Sequence, residues 1–109
     1  MAYDKSLAQR IRILLEEMPE LVEKKMFGGV GFIVSGNMAC GVSGEGFIVR
    51  VGPAYHPQAL AQPHTRVFDM TGRPMSGWIV IDPPGVADDE MLADWVARGV
   101  DFARSLPPK

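Results

Sequence analysis

Apolar residues recur every three or four positions near both ends of the chain and every second position between them. The pattern therefore predicts a helix, a run of strands and a closing helix. From Tyr3 to Met18, the residues Leu7, Ile11, Leu14, Leu15 and Met18 share one side of a helical wheel, while Lys5, Gln9, Arg12 and Glu16 fall elsewhere. Pro19 ends this helix, and Asp4 and Ser6 are both candidates to cap its start by accepting a backbone N–H bond. After Pro19 come four short apolar runs, LVEKKMF, VGFIV, MACGV and FIVRV. Ser35-Gly36-Asn37 and Ser43-Gly44-Glu45-Gly46 separate them, with glycine where a tight reversal needs positive φ. An antiparallel meander follows. On its last strand Phe47, Val49 and Val51 share one face and Ile48 and Arg50 the other, which directs Arg50 to water or to a partner.

The segment from Gly52 to Gln62 reads as a connection with a short helix of about two turns. Beyond it a strand is expected from Arg66 to Met70, a loop from Thr71 to Gly77, and a strand from Trp78 to Ile81 that Asp82-Pro83-Pro84-Gly85 closes. From Asp88 onward three acids open a helix where they suit its dipole. Leu92, Trp95, Val96, Gly99, Phe102, Ala103 and Leu106 make its apolar stripe. Gly99 is costly inside a helix, so it marks a close approach to a strand or to the first helix. The tail Pro107-Pro108-Lys109 is expected to fray. The fold class is α+β: two layers, with a mainly antiparallel sheet of five or six strands packed with an N-terminal and a C-terminal helix. The chain shows no repeat or linker, so residues 1–109 read as a single domain.

Composition narrows the function classes. A chain of 109 residues removes roughly two-thirds of its unfolded surface from water on folding, enough for one modest core. With 47% hydrophobic and 22% charged residues, neither disorder nor a membrane span is indicated. A net charge of −2 gives no long-range attraction to a polyanion, so direct nucleic-acid binding is not expected. The single Cys40 cannot form an internal disulfide, and the N-terminus lacks the apolar segment of a signal peptide, so a cytoplasmic location is expected.

The glycine block in KKMFGGVGFIV, from Lys24 to Val34, is the strongest local motif. A phosphate-binding loop needs glycines that lead into a helix N-terminus, but Gly28, Gly29 and Gly31 lead into the strand Phe32-Ile33-Val34. The block is therefore read as a bulge or tight strand-to-strand turn. Cys40 sits on an alternating strand with no cation beside it and reads as a buried, inert thiol. One cysteine and the two histidines His56 and His64 have no metal-ligand spacing, so neither a metal nor a cofactor is expected. Asp88, Asp89 and Glu90 read as dipole partners. Lys24, Lys25, Arg50, Arg66 and Arg73 would form a basic patch on an acidic protein if the meander gathers them. Exposed Met70 and Met75 would favour a binding surface, and Trp78 is either a core anchor or an interface anchor.

Taken together, the blocks KKMFGGVGFIVSGNMACGV, FIVRVGP, ALAQPHTRVFDMTGRPMSGWIVIDP and WVARGVDFARSLP resemble the N-terminal domain of the TfoX/Sxy competence-regulator family. MFGGVGF at 26–32, with Met26 and Phe27 ahead of the glycines, and TGRPMSGW at 71–78 are the most specific parts. The resemblance implies a two-layer α/β domain with an antiparallel sheet, and a regulatory role alongside the cyclic-AMP receptor protein in longer members. Those members add a C-terminal helical domain, so this chain is expected to be a stand-alone copy of the N-terminal one. No catalytic residues come with the resemblance. The expectation is a non-enzymatic cytoplasmic interaction module. It would bind a protein partner through a sheet edge or through a face carrying Lys25, Arg50, Arg66, Arg73 and Trp78, with a homodimer left open. The alternative is a small-molecule-binding domain or small enzyme with a pocket near Gly28–Gly31, using Cys40, His64 or Arg66.

Overall fold

The computed structural model of the chain describes residues 3–26, 29–44, 46–69 and 74–108. Helix α1 (Lys5–Leu14) is capped by Asp4, whose carboxylate accepts the Leu7 N–H at 3.0 Å, so Ser6 is not the cap. The helix stops at Leu14 rather than running to Met18. Glu16 and Glu17 follow, and acids at a helix C-terminus oppose its dipole. Leu7, Ala8 and Ile11 are buried, whereas Leu14, expected on the same stripe, is exposed beside Ile13.

The meander forms β1 (Leu21–Met26), β2 (Gly29–Val34), β3 (Asn37–Ser43) and β4 (Gly46–Arg50). Helix α2 (His56–Leu60) then leads to β5 (Thr65–Asp69) and β6 (Pro74–Ile81), and a 3-10 turn over Pro83–Val86 leads to α3 (Asp89–Ser105). The six strands lie in the order β1-β2-β3-β4-β6-β5, and every pairing is antiparallel. The α+β class is as expected, with six strands. No helix among the described residues is long and apolar enough to cross a membrane.

One boundary differs from the sequence reading. Strand β6 begins at Pro74, inside the segment expected to be a loop, and Gly77 lies within it at φ +87°. The Gly77 carbonyl accepts from both the Val51 and the Gly52 N–H, at 2.8 and 3.1 Å, and against β5 the register slips from Val67↔Ile79 to Asp69↔Pro74, so β6 carries the extra residues and continues through a bulge. Periodicity breaks at a bulge, which made the segment read as a loop. The glycine block behaves as a strand device. Gly29 opens β2, and a Cβ there would run into the Val42 carbonyl oxygen. Phe27 and Gly28 of the motif, and the side chain of Met26, lie outside the described residues.

Helices cover one face of the sheet. Val30, Phe32, Val34, Cys40, Val42, Phe47, Val49, Ile79 and Ile81 face Leu7 and Ile11 of α1, Ala59 of α2, and Leu92, Trp95, Val96, Val100 and Ala103 of α3 in one buried cluster. Helix α3 crosses β3 and β4 at Gly99, where a Cβ would collide with the Ala39 carbonyl oxygen and sit 2.9 Å from Val49 Cγ2. The expected close approach is thus to a strand. Asp88 caps α3 by accepting the Glu90 N–H at 3.3 Å. The tail is anchored rather than frayed at Pro107, whose carbonyl accepts from the buried Asn37 side chain at 3.0 Å.

Candidate functional site

Cross-strand partners in an antiparallel sheet project to the same face, so the register sorts the charged residues. One row crosses all six strands: Lys24, Gly31, Gly41, Ile48, Val80 and Arg66. It lies on the face without helices, because the alternate row contains the core residues Phe32, Cys40, Val49 and Ile79. Beside it, Arg50 pairs with Trp78, and Val22 with Ile33 and then Met38. Lys25 stands opposite Val30 and so belongs to the helix side. The structure therefore puts Lys24, Arg50, Arg66 and Trp78 on one face, with Lys24 and Arg66 on its opposite edge strands, and places Lys25 on the other face. Arg73, Met70 and the side chain of Met75 lie outside the described residues.

The chain carries a net charge of −2. Even so, the outward strand positions hold three cations and, among the described side chains, no carboxylate. Glu23 is opposite Phe32 on the helix side, where its two oxygens accept from Arg12 at 2.6 Å each. Arg12 holds the Glu23 carboxyl below its ordinary range. Asp82, just after β6, pairs with Arg66 at 3.1 Å in an exposed contact of small energetic weight. The apolar part of the face is a second small cluster of Ile48, Phe68 and Val80 with Trp78 packed on it. The Phe68 and Trp78 ring centroids are 5.9 Å apart.

Arg50 is the best-defined group here. Its guanidinium carbon lies 5.2 Å from the Trp78 ring centroid and 5.3 Å from that of Phe102, within cation–π range of both. Arg10, Arg12, Arg66 and Arg104 each pair with a carboxylate. Among the described residues Arg50 and Arg98 have no such partner and rest on rings instead, Arg98 at 3.7 Å from the Tyr55 centroid. The Phe102 ring packs on Gly52, where φ is +89° and a Cβ would sit 2.5 Å from the ring. The N–H of Gly77 donates to His56 Nδ1 at 2.7 Å, so the neutral imidazole carries its proton on Nε2. Phe102, Tyr55, Arg98 and His56 were not selected as site residues from the sequence. Gly52-Pro53 and Gly77 were the available signals, since both glycines mark places where a ring or a backbone comes close.

Groups named for small-molecule chemistry are not brought together. Cys40 is wholly buried on the helix side, and burial pushes its thiol up to about 12, which leaves no thiolate at neutral pH. Arg66 lies on the opposite face. His64 adopts φ +66° in the exposed turn before β5. Among the described residues no three His, Cys, Asp or Glu side chains cluster as metal ligands. A groove of about 650 Å³ runs beside α3, and none of the residues lining it belongs to the glycine block.

Comparison with curated proteins and with solved structures returns no match. The family model described as the TfoX N-terminal domain matches residues 13–103, from the last two residues of α1 to the last turn of α3, and so includes the whole sheet. By that match the chain belongs to the TfoX N-terminal domain family.

Proposed function

We propose that this domain is a non-enzymatic cytoplasmic interaction module that binds an acidic surface of a protein partner through the helix-free face of its sheet. The family's association with competence supports a regulatory role. The observation that carries the reading is the segregation of charge: the outward strand positions of this face hold Lys24, Arg50 and Arg66 and no described carboxylate, with Arg66 paired to Asp82 just beyond β6, on a protein of net charge −2. Charge arranged in this way steers an oppositely charged surface and fixes its register. Arg50 is held in place by two rings, so less of its freedom is lost when it engages a carboxylate. The overall negative charge disfavours extended polyanions and favours a local acidic patch. Affinity purification from the native cell, with wild type and a Lys24→Glu/Arg50→Glu variant, tests it. A partner enriched by wild type and lost by the variant supports the reading. Partners retained by the variant place binding elsewhere.

A further inference from the structure

A second surface, which meets the sheet face at Phe102, carries its own pattern. The groove of about 650 Å³ runs between α3 and the segment after β4. It is lined by Val51, Asp94, Arg98, Asp101 and Phe102 among others. A smaller hollow of about 180 Å³, lined by Tyr55, Met91 and Trp95 among others, shares Asp94 and Arg98 with it, so the two adjoin along the helix and are together termed the channel. Asp94, Arg98 and Asp101 follow one another at intervals of four and three residues. This places negative, positive and negative charges about 6 and 4.5 Å apart along the helix axis at 1.5 Å rise per residue.

Arg98 has intrahelical carboxylates four residues before it and three after it, positions that ordinarily pair. It forms no ion pair with either among the described residues, and its guanidinium turns onto Tyr55 at 3.7 Å. Asp94, Arg98 and Asp101 are all exposed, and neither carboxylate pairs with Arg98, which rests on Tyr55. Met91, 40% exposed, and the half-buried Phe102 supply apolar contacts towards the two ends of the channel.

We propose that this channel docks one amphipathic helix of a partner protein, oriented by a basic, an acidic and a basic residue that meet Asp94, Arg98 and Asp101. A helix lying alongside α3 presents such residues at the same four-and-three spacing, or at three-and-four if it runs the other way. Its apolar residues enter the Tyr55–Met91–Trp95 lobe and contact Phe102. The alternating charges also set specificity, because a uniformly acidic or basic segment meets like charge at one or two of the three positions. The two surfaces meet at Phe102, whose ring also carries the Arg50 guanidinium, while the charged stripe of α3 is distinct from the cations of the sheet face.

The test uses alanine-based helical peptides of about 18 residues, long enough to be helical in water. One contains Lys-Ala-Ala-Ala-Glu-Ala-Ala-Lys, a second the reversed spacing Lys-Ala-Ala-Glu-Ala-Ala-Ala-Lys, and two controls exchange Lys and Glu. Each is titrated into the full chain while amide resonances are followed. One of the Lys-Glu-Lys peptides should shift residues 91–105 and Tyr55, and bind about tenfold tighter than its charge-exchanged control. An Asp94→Lys/Arg98→Glu/Asp101→Lys variant should invert that preference; all three sites are exposed, and circular dichroism verifies its fold. Equal binding of a peptide and its control, binding of neither, shifts confined to the sheet face, or a preference unchanged by the variant would each overturn the proposal.

Discussion

Replacing Gly99 by alanine gives a sharp test of the packing that holds the sheet. At an exposed site inside a helix, glycine to alanine stabilises by about 1 kcal/mol. At Gly99 the added Cβ meets the Ala39 carbonyl oxygen, lies 3.2 Å from the Ala39 carbonyl carbon and is 2.9 Å from Val49 Cγ2. Backbone atoms of a central strand cannot rotate away, so α3 must withdraw by roughly an ångström, in an interior packed at crystal-like density. The withdrawal loosens Leu92, Trp95, Val96, Val100 and Ala103 against the sheet. Overpacking of this kind costs about 1–3 kcal/mol, and an immovable backbone contact sets it at the upper end. After the helix gain, the net loss is about 1–2 kcal/mol. For a domain of this size that lowers the thermal midpoint by about 5–10 °C. Urea unfolding of Gly99→Ala should show a lower midpoint with unchanged slope. Ala97→Gly, on the exposed side of the same helix, should also destabilise by about 1 kcal/mol, so that glycine is favoured at one site and alanine two residues away. A Gly99→Ala variant more stable than wild type would refute the close approach.

Cys40 should be silent toward a thiol reagent at pH 8 in the native protein and react with one equivalent in guanidinium, because it is fully buried and its thiol is pushed up to about 12; rapid native-state labelling would contradict this. Arg12 holds the Glu23 carboxyl below the ordinary 4.5, so the pair stabilises the fold above that pH and the contribution is lost as pH falls through the lowered value. The thermal midpoints of wild type and Arg12→Ala should therefore differ at pH 7 and converge as the pH falls through the lowered value, since a depressed carboxylate pKa acts in that direction. A gap that widens in acid would be the wrong sign. Asn37→Ala removes the bond to the Pro107 carbonyl and should cost about 1–2 kcal/mol. Amide exchange at Leu106 should quicken in that variant, whereas unchanged exchange would mean that the tail is held by other contacts.

Much of the fold was legible because one periodicity dominates each part. The meander, the two long helices and the Gly99 approach all follow from repeats of two or of three and four. Where two signals competed, the sequence misled. Glu16 and Glu17 cut α1 short against its apolar repeat, and the Gly77 bulge hid the first half of β6. The site was less legible, because face assignment depends on register. Lys24 and Lys25 are neighbours in sequence and on opposite faces in the sheet, and only the pairing of β1 with β2 decides which of them joins Arg50. The ring contacts of Arg50 and Arg98 join residues about 50 and 40 positions apart, beyond any local pattern that helix or strand periodicity contains. The glycine block identified the family and contributes close strand packing, while the features that carry the functional reading lie elsewhere.

The central claim is that binding runs through the cationic, helix-free face. Its most direct test is the affinity of the purified partner for wild type and for Lys24→Glu/Arg50→Glu, measured at low and at physiological salt. The account predicts a loss of at least about tenfold on charge reversal, and a wild-type affinity that falls as salt screens the face. Equal affinities for the two proteins at both salt concentrations would contradict it.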